Sequence, residues 1–304
     1  MLPVALLSPL LVPSAAPQAT ALPTPRRVTH VVHAYANFSP DGSELVYQGN
    51  ATGDWDLYLS AVDGTLVRPI VRGQAADITP VFSPDGARIL FVSERDGQRE
   101  VYVCARDGSG EKRLTDDPGH DLHPVWSADG SRILFSSNRG NASADDYDLY
   151  EMRADGTGVR RVTSGPDVDT YGSWSPDGKR IVTRRVLAGT RNNEVFVLDA
   201  DGSNARNLTN DPATYDGWPV WSPDGKRIAY AGGGPPGQPP HRIFLVDPDG
   251  TNRVALTEAW APGGYVYDTQ PCFSRDGKKL VFTRYRPGER EIAELCVIDV
   301  PPMG

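Results

Sequence analysis

The tetrapeptide Ser-Pro-Asp-Gly, or a one-residue variant of it, recurs six times in this 304-residue chain, at 39–42, 83–86, 127–130, 175–178, 222–225 and 274–277. Successive copies are 44, 44, 48, 47 and 52 residues apart. An aromatic residue precedes each copy (Phe38, Phe82, Trp126, Trp174, Trp221, Phe273), and an apolar run follows, as in Ile89-Leu90-Phe91 or Leu280-Val281-Phe282. A second turn comes later in the unit, at Asp63-Gly64, Asp107-Gly108, Asp155-Gly156, Asp201-Gly202 and Asp249-Gly250, after alternating strands such as EVYVCAR or EVFVLDA. Four units then close on Leu114-Thr115, Val162-Thr163, Leu208-Thr209 or Leu256-Thr257.

Each unit therefore holds four short strands, and four strands at a period near 45 residues mark a propeller blade rather than a helical repeat. The expected fold is all-β: a six-bladed β-propeller with four antiparallel strands per blade. Turn chemistry agrees, because Pro fits the second position of a type I turn and Gly after Asp supplies the left-handed residue a hairpin needs. The sixth unit lacks a Leu-Thr strand after Glu294–Asp299. Arg26-Arg27-Val28-Thr29 matches Arg160-Arg161-Val162-Thr163 and is expected to supply it, closing the ring from the N-terminal side.

The aromatic-Ser-Pro-Asp-Gly motif, the second Asp-Gly and the closing Leu-Thr resemble the TolB-type six-bladed propellers from residue 26 to about residue 300. The resemblance covers the propeller and not the α/β domain that TolB carries before it. Binding proteins, peptidase propeller domains and some carbohydrate lyases share the motif, so it implies a fold and leaves the chemistry open.

Residues 1–24 read as a separate segment, with 25–304 as the propeller. The apolar run Val4–Val12, interrupted by Ser8 and Pro9 and followed by Ser14-Ala15-Ala16 and Ala19-Thr20-Ala21, resembles an export signal with an A-x-A-like cleavage site. No Lys or Arg precedes the run, so a disordered Pro/Ala leader is the alternative. The first reading places the protein in the periplasm or outside the cell. No later stretch has the roughly 18 consecutive apolar residues of a membrane helix. Thirty-one basic against 39 acidic residues, for a net charge of −8, argue against a nucleic-acid partner, since phosphate recognition draws on clustered Lys and Arg. Three cysteines (Cys104, Cys272, Cys296) do not make a disulfide-built fold and are expected to be free thiols.

Hairpin geometry puts both Asp-Gly corners of every blade on one face. The loops on the other face differ from blade to blade: 49–55, 138–148, 187–194, 232–242 and 284–291. Variable loops on a repeated scaffold are where binding resides. Six residues before each turn Ser the innermost strand carries His33, Asp77, Asp121, Asp169, Asp216 and Asp268. Four before it stand Tyr35, Thr79, His123, Tyr171, Trp218 and Gln270. Both sets are expected as stacked rings at the mouth of a central funnel. The Asp ring has two readings, a cation site such as Ca²⁺ or a structural set accepting backbone N–H bonds from the neighbouring blade. Its recurrence favours structure, and no cofactor is otherwise implied. Asymmetry is the better guide to a ligand. It singles out His33, Tyr35, His123, Tyr171, Trp218 and Gln270, with Trp260, Tyr265 and Tyr267 on the long loop before the sixth blade.

No Gly-x-Ser-x-Gly elbow occurs, and His30/His33 and His120/His123 are three apart, which on a strand puts them on opposite faces. The expectation is a monomeric, exported, non-catalytic propeller that binds a protein segment or peptide on its loop face and funnel mouth. The alternative is a metal-dependent lyase of acidic (uronate) oligosaccharides, with His33, His123, Gln270 and a funnel Asp converging.

Overall fold

The computed structural model describes residues 22–28, 33–51, 53–141, 143–190, 192–234, 241–258, 260–261, 264–265, 267–285 and 293–301. Residues 1–21 of the expected leader at 1–24 lie outside that set. Among the described residues there is no helix; strands form six four-stranded antiparallel sheets and one small hairpin, Trp260–Ala261 with Gly264–Tyr265. The first blade comprises His33–Phe38, Glu44–Gly49, Asp56–Ala61 and Arg68–Val71, and the next four repeat this order. In the sixth, Tyr267–Phe273, Lys279–Tyr285 and Ala293–Asp299 are completed by Arg26–Arg27, whose partners are Val297 and Cys296. The N-terminal strand thus closes the ring, and Arg27 reaches Glu294 at 2.9 Å just as Arg113 reaches Glu100 at 2.7 Å in the second blade.

The repeated motifs each have a bonding role. Ser39 donates to Asp41 at 2.6 Å and accepts from the Glu44 backbone at 2.9 Å, while Asp41 takes the Ser43 N–H and Gly42 adopts φ +73°. The same net recurs at Ser83, Ser127, Ser175, Ser222 and Ser274. The Thr of Leu-Thr pins the outermost strand: Thr115 Oγ1 accepts from Val101 N at 2.9 Å and donates to the buried Glu100 carboxylate at 2.5 Å. Gly108 must be glycine for space as well as for φ, since a Cβ there would lie 1.8 Å from the Ile70 carbonyl oxygen of the preceding blade.

Apolar clusters lie between blades rather than within them. Leu57 and Leu59 of the first blade pack with Phe82, Ile89 and Phe91 of the second. The aromatic before each turn is buried at such a junction, and Arg88, Arg132 and Arg180 stack on Trp126, Trp174 and Trp221 of the following blade at 4.3 to 4.7 Å. Stability is thereby spread around the ring, and no blade is a free-standing core.

Candidate functional site

Every innermost strand has its register broken at the same place, between residues 34/37, 78/81, 122/125, 170/173, 217/220 and 269/272. The residue inside each bulge has a left-handed backbone: Tyr35 (φ 53°), Thr79 (51°), His123 (51°), Tyr171 (56°), Trp218 (51°) and Gln270 (55°). None is glycine, and a side chain in this conformation costs on the order of 1–3 kcal/mol unless the surroundings impose it. The bulge turns these side chains into the central channel. There, with Ala36, Val81, Val125, Val220 and Cys272, they line a cavity of about 130 Å³. The set four residues before each turn therefore does converge on the axis.

Around that cavity the aromatic members touch across the ring. The Tyr35 and Tyr171 hydroxyls, from blades one and four, are 3.1 Å apart, and His123 lies 3.8 Å from the Tyr171 ring. The series continues through Trp218 (5.8 Å from Tyr171), Tyr215, His241 and Tyr267 (4.1 Å from His241) to Tyr285. Burial, then the neighbouring Tyr171, holds the Tyr35 hydroxyl well above its usual value. Burial first and the Arg184 charge second push His123 down to about 3, and burial alone brings His241 to about 4, so both imidazoles are neutral. Several polar atoms here are buried with no partner: His123 Nδ1, Trp218 Nε1, Gln270 Oε1, Thr79 Oγ1 and both ring nitrogens of His241.

The aspartates do not form a second ring at the mouth. They are buried inside their own blades and do not line the cavity. Asp169 takes a two-pronged contact from Arg185 at 2.9 and 2.8 Å, and Asp268 one from Arg284 at 2.7 and 2.8 Å. Asp77 pairs with Arg95 at 2.9 Å, and Asp121 with Arg139. The expectation that these carboxylates accept backbone N–H bonds from the next blade is corrected: their main-chain N–H groups make the inter-blade contact, as from Asp77 to the Trp55 carbonyl at 2.7 Å. Asp216 is the exception. Gly232 stands across from it, its best cation is Arg253 at 3.8 Å, Oδ1 has no hydrogen bond, and burial pushes the carboxyl up to about 6.

Among the described residues no three His, Cys, Asp or Glu side chains come together in a metal-binding group. Of the donors of the lyase alternative, His123 stacks against Tyr35 and Tyr171, and Asp77, Asp121, Asp169 and Asp268 are bound to arginines. The side chains of His33, Trp260 and Tyr265 lie outside the described residues. Tyr267 is half-buried against His241 and Tyr285. The sequence reading missed Arg184, Tyr215, His241 and Tyr285, and the second carboxylate set Asp56, Glu100, Asp148, Glu194 and Glu294 on the third strands. The latter was detectable, because an acidic residue stands first or second on the third strand in every blade except the fifth, where Arg242 takes the place.

Solved structures share this architecture. A putative TolB from Agrobacterium tumefaciens matches with TM-score 0.67 at 23% identity, over 90% of this chain and 91% of that one. TolB from Acinetobacter baumannii gives 0.62 at 18%, over 88% of this chain and 63% of that one, and an oligogalacturonate lyase in complex with manganese gives 0.62 at 15%, over 90% and 92%. At these identities the likeness is one of fold alone. No curated protein matches the chain. Residues 37–262, most of its length, match the TolB beta propeller domain, and the chain belongs to that family.

Proposed function

We propose that the protein is a non-catalytic, exported binding propeller that takes up a peptide or protein segment at the loop-face mouth of its channel. The observation that carries this reading is the ring of six non-glycine residues held in left-handed backbone, with different polar side chains and unpartnered buried atoms. Buried polar groups without partners cost stability, and backbone strain of this kind is retained where surroundings or function impose it. A segment that donates to Gln270 Oε1 and accepts from Trp218 Nε1 would satisfy them. The aromatic series from Tyr35 to Tyr285 offers the apolar contact that Tyr and Trp bring to interfaces.

Selection of a displayed random peptide library on the purified propeller tests the reading. The expected result is a saturable binder whose affinity falls at least tenfold in Trp218→Ala, with the melting temperature little changed. Binding insensitive to Trp218 and Tyr171, or Mn²⁺-dependent cleavage of an oligogalacturonate, would overturn it.

A further inference from the structure

Arg184 sets blade four apart. Its place on the second strand, opposite the residue before the bulge, is held by Gln48, Val92, Ser136 and Thr283 in blades one, two, three and six. Gln48 accepts the backbone N–H of Thr79 at 2.8 Å, and Thr283 that of Tyr35 at 3.3 Å, so both serve the bulge of the following blade. An arginine has no acceptor and cannot do this. Instead its guanidinium lies 4.7 Å over the Tyr171 ring, donating through Nε to Thr170 Oγ1 (2.9 Å) and through Nη1 to the Tyr215 hydroxyl (3.1 Å). Blade five makes room for it: a Cβ at Gly217 would come within 3.2 Å of Arg184 Cδ.

This half-buried cation makes no ion pair with a carboxylate among the described residues, whereas Arg185 and Arg284 are each locked onto an aspartate. Two of its five N–H groups are used, and the neighbouring Trp218 Nε1 is an unpartnered donor. A partly buried charge lacking a counter-ion carries a desolvation cost, and the N–H groups left at the end of the guanidinium match a carboxylate in charge. We propose that the mouth between blades four and five is a carboxylate-recognition site anchored by Arg184, and that its occupant is a peptide carrying a single carboxylate there. The inference rests on the peptide-binding reading above. The net charge of −8 repels a polyacidic tract at long range, which favours one local carboxylate over a run of them.

The test selects a random nonapeptide library in parallel on the wild-type protein and on Arg184→Met. Wild type is expected to enrich peptides that carry one acidic residue or need a free C-terminal carboxylate. Glu→Gln peptides and C-terminally amidated peptides separate these two sources. Neutralising the critical carboxylate should weaken binding to wild type at least tenfold and leave binding to Arg184→Met unchanged, with Arg184→Lys recovering part of the difference. Gly217→Val, which crowds the arginine stem without removing its charge, should reproduce the loss and guards against a folding artefact in Arg184→Met. Selected peptides with no acidic preference, or a preference that persists in Arg184→Met, overturn the carboxylate site while leaving peptide binding intact. An Arg184-dependent interaction with trigalacturonate alone, with no peptide selected, overturns the peptide occupant.

Discussion

Asp216 and Asp169 occupy equivalent positions yet should respond oppositely to the same substitution. Asp169→Asn leaves the largely buried Arg185 with only Asp167 at 3.8 Å as a counter-ion and is expected to cost about 3 kcal/mol, as breaking a buried pair does, with Asp268→Asn behaving alike. Asp216 has no such partner, and its carboxyl is held at about 6 against an ordinary 3.8. A raised acid loses stability as it ionises, so this group's contribution falls as pH rises from about 4 to about 6 and is at its worst above that. Asp216→Asn should raise the melting temperature at pH 7 and leave it unchanged at pH 4; a pH series of thermal melts decides. Equal, modest effects at every Asp, as a purely repeated role would give, are therefore not expected. Leu66 offers a second residue-scale test. It is 82% exposed with φ 56°, where the other blades place Gly110, Gly158, Asn204 and Asn252. Leu66→Gly removes left-handed strain and no packing, and should stabilise by about 1 kcal/mol in denaturant titration.

Among the strands, what the sequence reveals depends on how local the cause is. The turns were legible because Ser, Asp and Gly bond within a few residues of one another, as in Ser39 to Asp41. The closing strand was legible because it repeats the Arg-Arg-Val-Thr of blade three. The bulges were not, since the left-handed residues are Tyr, Thr, His, Trp and Gln, which carry no local mark of that conformation. The arginine partners of the aspartates were hidden for another reason. Arg185 and Arg284 lie directly across the strand pair, whereas Arg95 and Arg139 sit two residues beyond it. A truncation starting at residue 33 removes both ladder partners of Val297 and Cys296 and the Arg27 contact to Glu294, and should lower the melting temperature by several degrees. Unchanged melting would show the ring closed by other means.

Across the whole molecule, the contact between Tyr35 and Tyr171 spans 136 residues of sequence and exists only because six blades close a circle. Site geometry of that kind is a property of the ring and of no single repeat, so the channel set could be named from the alignment but not its contacts. The closed ring also protects its thiols. Cys104 and Cys296 are 2% exposed, and burial pushes Cys104 to about 12 and Cys272 to about 11. None of the three cysteines is in a disulfide. Native protein should react slowly with a thiol reagent, Cys272 first because it lines the channel cavity. Denatured, unreduced protein should titrate three groups; fewer would reveal a disulfide.

The strand that shuts the circle is made long before the strand it pairs with. Arg26 cannot meet Val297 until about 270 further residues have left the ribosome, roughly 14–54 s at 5–20 residues per second. Through that interval the propeller is an open crescent of up to five blades with a bare strand edge at its growing tip, and ring closure follows the folding of the other blades.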